Sequence, residues 1–137
     1  MRILSLIITL VLIATPAVGQ EFYAHDIPTK NPKAFRNYQE SLRRSVPSWV
    51  WMEEWVGDLE GVAIPLERSQ IDRKTVFTGW VCKPHDCLMN KVYLIVDQSR
   101  VAALIDIADA RPYFVGQMSP GEKSCLLYMQ QNATERC

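Results

Sequence analysis

The 137-residue chain has no excess of either charge: 15 Lys and Arg stand against 15 Asp and Glu. No stretch gathers basic residues. A nucleic-acid binder needs a basic face, and an anionic membrane surface attracts clustered Lys and Arg, so neither partner fits. Internal repeats, low-complexity tracts and a composition break that would mark a second domain are all missing. The one long apolar run, residues 3–14, is shorter than the roughly 20 residues needed to span a bilayer. No cysteine directly follows it, which argues against a lipid-anchored N-terminus.

What is present at the N-terminus has a definite order. Arg2 gives a positive start, residues 3–14 are almost wholly apolar, Pro16 breaks the run, and Ala17-Val18-Gly19 supplies small residues at −3 and −1. This is the order of a cleavable secretory signal. The alternative, an uncleaved anchor, explains neither the short run nor the cleavage site. Residues 1–19 are therefore expected to be a signal peptide and residues 20–137 a single exported domain, starting at Gln20 or Glu21. Cleavage removes one basic residue, Arg2, and leaves a net charge near −1. After cleavage no membrane association is expected.

The four cysteines are Cys82, Cys87, Cys125 and Cys137. An even count in an exported chain argues for two disulfides. Three pairings exist, of which Cys82–Cys87 with Cys125–Cys137 is the simplest, since each bond closes a short loop.

The patterning predicts helix, strands, helix. Residues 21–30 read as an irregular polar lead-in. Asn31-Pro32 reads as a cap followed by a first-turn proline, and Ala34, Phe35, Tyr38 and Leu42 share one helical face up to about Ser45. Trp49, Trp51 and Trp55 lie in a segment that reads as a helical turn. They suit either a sugar-stacking platform or core and rim packing, and packing is the commoner use of large aromatics. Strands are expected at 62–65, 75–81, 91–97, 101–106 and 111–117, with a hairpin at 97–100. Ser119 and Glu122 have capping-box spacing, so a last helix should follow and end near Asn132. The expected fold is α+β, a central antiparallel sheet of about five strands flanked by helices. Asn132-Ala133-Thr134 matches a glycosylation sequon and is read as chance in a bacterial protein.

The informative segment is Cys82-Lys83-Pro84-His85-Asp86-Cys87, between two strong strand candidates. A bond between its cysteines would make it a stiff finger, with Pro84 fixing a further backbone angle. Stiffness suits a projection that must enter a cleft with little entropy loss. Other readings are a zinc site of Cys82, His85 and Cys87, a thiol oxidoreductase, a hydrolase using His85 and Asp86, or a stapled turn with an idle histidine. Oxidised cysteines do not ligate zinc. The spacing is not Cys-x-x-Cys in a βαβ context. No nucleophile adjoins His85 and Asp86.

The string Cys-Lys-Pro-His-Asp-Cys at 82–87 resembles the signature loop of the Ivy family, the inhibitors of vertebrate lysozyme. The signal segment, the length and Pro-Ser-Trp-Val at 47–50 are also similar, and the resemblance is strongest between about residues 47 and 107. It implies a five-stranded antiparallel sheet flanked by helices and a periplasmic location in a Gram-negative bacterium. It implies binding of C-type lysozyme, with no catalysis, metal or cofactor. It further implies a Cys82–Cys87 staple, His85 as the plug reaching the catalytic carboxylates, and Lys83, Pro84 and Asp86 shaping the tip. Histidine suits that task. Retaining glycosidases hold two carboxyl groups about 5–5.5 Å apart, with lysozyme as the type case. Imidazole can accept from one and donate to the other, and imidazolium can donate to both. Asp86 is expected to orient the ring or to bond the loop backbone.

Leu88 and Met89 depart from what an exposed shoulder needs; they suit contact with a partner or the start of the next strand. The near-neutral charge offers little attraction to a basic lysozyme. The alternative reading is a paralogue that binds an endogenous cell-wall enzyme such as a lytic transglycosylase. A homodimer is left open.

Overall fold

Two central strands dictate the architecture. β4 (Lys91–Val96) and β5 (Val101–Asp106) are apolar and buried at nearly every position. Val92, Leu94, Val96, Val101, Ala103 and Ile105 join one core, whereas Tyr93, Ile95, Ala102 and Leu104 join another. Side chains alternate across a strand, so a strand apolar on both faces needs cover on both. The structure, a computed structural model, describes residues 20–137 and supplies that cover with helices. The expected signal segment lies outside the described residues.

The sheet is fully antiparallel. β1 (Val62–Ala63), β3 (Lys74–Cys82), β4, β5 and β6 (Tyr113–Val115) lie in that spatial order, and β2 (Glu67–Ile71) also pairs with β3. β1 and β2 share one edge. Ala63 faces Val81 but Glu67 faces Thr78, so four steps along the edge match three along β3. One extra residue is accommodated there, beside Pro65, as expected for proline on an edge strand or bulge. Six strands thus fill five positions, and the α+β expectation of about five strands holds.

α1 (Ile27–Lys30) and α2 (Pro32–Ser45) cover one face. Ala34, Tyr38 and Leu42 point inward from α2. The Tyr38 hydroxyl donates to the Val56 carbonyl at 2.8 Å, and burial pushes its pKa far up, so it is a neutral donor. Asn31 caps α2 by accepting from the Ala34 N–H at 3.3 Å, while its amide donates to the Asp97 carbonyl at 2.9 Å. One residue therefore starts the helix and ties it to the β4–β5 turn. α3 (Ser48–Trp51) and α4 (Glu54–Gly57) follow. Trp55 is core, Trp51 is half-buried with Arg43 over its ring, and Trp49 is exposed.

α5 (Pro120–Asn132) covers the other face through Cys125, Leu126 and Met129. Ser119 and Glu122 form the expected capping box. The Ser119 hydroxyl also donates to Asp72 in the β2–β3 turn. Glu122, only 4% exposed, receives both terminal nitrogens of Arg100, at 2.5 and 3.1 Å. Asp97 holds the same arginine at 3.2 Å. Burial pushes the Asp97 carboxyl up, but bonds from the Ser99 and Arg100 N–H groups, the Ser99 hydroxyl and the Arg100 charge together hold it below its ordinary range. Arg100→Met strands a buried carboxylate. We expect a loss of about 2–3 kcal/mol in denaturant unfolding at pH 7, somewhat less than for a fully buried pair. A loss within about 0.5 kcal/mol, the usual span for surface substitutions, would contradict this role.

Residues 21–30 are not irregular: a 3-10 turn (Ala24–Asp26) runs into α1. The Asp26 carboxylate accepts from the Tyr23 N–H at 2.9 Å, and that bond holds its pKa below the ordinary range. Ala24 and Ile27 are the fully buried anchors within that polar stretch. β2 was not expected, because Glu67-Arg68-Ser69-Gln70 has no apolar alternation. Its order comes from pairing with β3, including Ser69 Oγ to Thr78 Oγ1 at 2.7 Å. The strand at 62–65 ends at Ala63, and the one expected at 111–117 spans Tyr113–Val115.

Candidate functional site

The β3–β4 connection, residues 83–90, projects from one end of the antiparallel β3–β4 pair. Its base is rigid. The last pair in the ladder is Cys82 with Lys91, and the Lys83 N–H donates to the Asn90 carbonyl at 3.1 Å, extending the ladder by one bond. Cys82 is fully buried and bonded to Cys87, with the two Cα atoms 5.0 Å apart. Cys125 is bonded to Cys137. Both simplest pairings are present, and the described residues hold no free cysteine.

Within the staple the chain makes one tight turn. The Asp86 N–H donates to the Lys83 carbonyl at 3.0 Å, making Lys83-Pro84-His85-Asp86 a four-residue β-turn. His85 has φ +67°. Proline at the second position holds φ near −65°, so the left-handed residue at the third position identifies a type II turn. Glycine or asparagine usually fills that third place. Here a histidine takes it, at the outermost corner, with Pro84, His85 and Asp86 all exposed. Histidine is among the non-glycine residues that tolerate this region, but it is uncommon there.

Asp86 does not orient the imidazole. Its carboxylate accepts from the Asn90 side-chain amide at 2.6 Å, and the Asn90 side-chain oxygen accepts from the Ala108 N–H at 3.2 Å. Buried Asn90 therefore links the finger to the β5–β6 connection. Nothing in the sequence singled it out: a polar residue just before a strand usually caps or faces water. Gly61 is a second unforeseen contributor. A Cβ there would lie 2.3 Å from the Cys82 carbonyl, so only glycine lets the edge chain pass so close to the staple. His25, Glu60, Gly61, Val62 and Pro84 line an open hollow of about 580 Å³ on the flank of the finger.

Asn90→Ala removes both links. We expect about 1–2 kcal/mol of destabilisation and faster hydrogen exchange at the Ala108 amide. Unchanged exchange there would show that Asn90 is not the tie.

Leu88 and Met89 do not begin the next strand, which starts at Lys91. They form a turn on the far side of the staple and are exposed. Among the described residues, no group of three or more His, Cys, Asp or Glu side chains could share a metal. The thiolates that a zinc site would need are consumed by the disulfide. Among these residues no helix is long and apolar enough to cross a membrane.

What this arrangement can do follows from its parts. It presents one exposed imidazole on a backbone held by a disulfide and a turn hydrogen bond, at the end of a stapled projection. No protein-family model matches the chain, and no curated protein does either.

Proposed function

We propose that this protein is an inhibitor of C-type lysozyme, exported to the periplasm of a Gram-negative bacterium. It acts as a binding protein rather than an enzyme. The observation that carries this reading is His85: an exposed imidazole at the left-handed corner of a turn braced by proline, a disulfide and Asn90. A surface histidine without a role gains nothing from so constrained a position. A histidine that must enter a cleft between two carboxyl groups gains a great deal, because the ordering entropy is met in folding and not in binding.

In the complex the ring stands between the acid and the carboxylate of the glycosidase, donating to one and accepting from the other or donating to both. It occupies the space of the scissile linkage and offers no bond to cleave. Asp86, held by Asn90, remains at the edge of the tip, and Lys83 and Pro84 shape the approach. Export agrees with the two disulfides, which persist in oxidising compartments. A dose–response measurement of lysozyme activity on cell-wall substrate tests the reading. Inhibition approaching one-to-one stoichiometry supports it, and full activity in excess oxidised protein would refute it.

A further inference from the structure

The tip residues are few. A stable protein complex engages about 20–30 residues a side and buries about 800 Å² of each partner. Four residues of a finger cannot supply that area, so any body that takes up the tip must also touch what lies beside it. Leu88 follows Cys87 directly, and its Cα is within about 11 Å of that of His85 by chain length alone. It is 92% exposed, and Met89 is 57% exposed. Large apolar side chains this open contribute almost nothing to the fold. The backbone that carries them is nonetheless fixed, by the staple before and by Asn90 after.

We propose that Leu88 and Met89 form an apolar shoulder that seats on the aromatic-lined rim of the polysaccharide cleft entered by His85. This rests on the reading above and extends it: the finger blocks the reacting centre, and the shoulder supplies apolar area and partner preference. Clefts that bind sugars expose aromatic rings, whose flat faces stack on the apolar side of a pyranose. Leucine and methionine suit such a rim, since methionine adapts to irregular surfaces and its sulfur packs well against ring edges.

The test uses the full disulfide-bonded protein and purified C-type lysozyme, with affinity and dissociation rate measured for wild type, Leu88→Ser/Met89→Ser and His85→Ala. The shoulder variant should bind about 10- to 50-fold more weakly, mainly through faster dissociation. Its unfolding midpoint should not change. Affinity within twofold of wild type, while His85→Ala is weakened, overturns the shoulder and leaves the plug intact. If instead the variant turns a dimer of the free protein into monomers without altering lysozyme affinity, the patch belongs to a second copy and the proposal is wrong. If wild type itself does not bind, the plug reading fails and the shoulder fails with it.

Discussion

His85→Ala should reduce inhibition of C-type lysozyme by at least about 100-fold, the effect of losing a central buried anchor. The turn should survive the change, because the Lys83–Asp86 hydrogen bond, Pro84 and the staple do not involve the ring. Alanine is less at ease than histidine at φ +67°, so a small stability loss could mimic a functional one. His85→Asn separates the two. Asparagine favours the third position of a type II turn, so the backbone should be as stable as in the wild type. It nevertheless lacks the reach and the paired ring nitrogens, and inhibition should still fall. If His85→Asn inhibits like wild type, backbone shape and not imidazole chemistry carries the effect. If His85→Ala itself keeps its potency, the plug is wrong.

Cys82→Ala/Cys87→Ala should weaken inhibition by about tenfold or more and cost about 2 kcal/mol of stability. The six-residue ring restricts the unfolded chain only modestly, so the larger consequence is for binding. Without the staple, only Pro84, one turn bond and the Asn90 links hold the corner, and more of the loop must be ordered when it enters the cleft. The second disulfide provides the contrast. Cys125–Cys137 closes a longer loop between α5 and the C-terminal tail, and its removal should cost about 3 kcal/mol. No residue of it belongs to the finger, so inhibition below the melting temperature should be unchanged. Equal potency of the Cys82→Ala/Cys87→Ala protein, with its fold intact, would refute preorganisation as the role of the staple.

The parts of the fold legible in the sequence were those whose cause is local or periodic. Asn31 and Ser119 announce their helices because capping needs one side chain and a neighbouring N–H. β4 and β5 are legible because continuous burial leaves an uninterrupted apolar string. β2 was not legible, since an edge strand of Glu, Arg, Ser and Gln owes its form to the partner it pairs with. Its bulge likewise places β1 and β2 on one edge through a register that only the pairing reveals. The Ala24–Asp26 turn depends on an aspartate reaching back three residues, which a mostly polar segment hides.

The candidate site divides in the same way. Lys83, Pro84, His85, Asp86 and both cysteines are contiguous, so one string carries the finger. What braces it lies outside the string: Asn90 at the base of the same loop, and the distant Gly61 on the edge and Ala108 beyond β5. These contacts belong to the folded sheet, and no spacing rule links them. The left-handed corner at His85 also escapes the sequence, because proline at the second turn position is compatible with type I or type II. Only the backbone shows which was chosen, and that choice sets where the imidazole stands.

Purified, oxidised protein spanning residues 20–137 is titrated against a C-type lysozyme while clearing of cell-wall substrate is followed. Activity should fall to near zero as the protein approaches molar equivalence. Undiminished lysozyme activity in the presence of a folded, disulfide-bonded excess would contradict the proposed function.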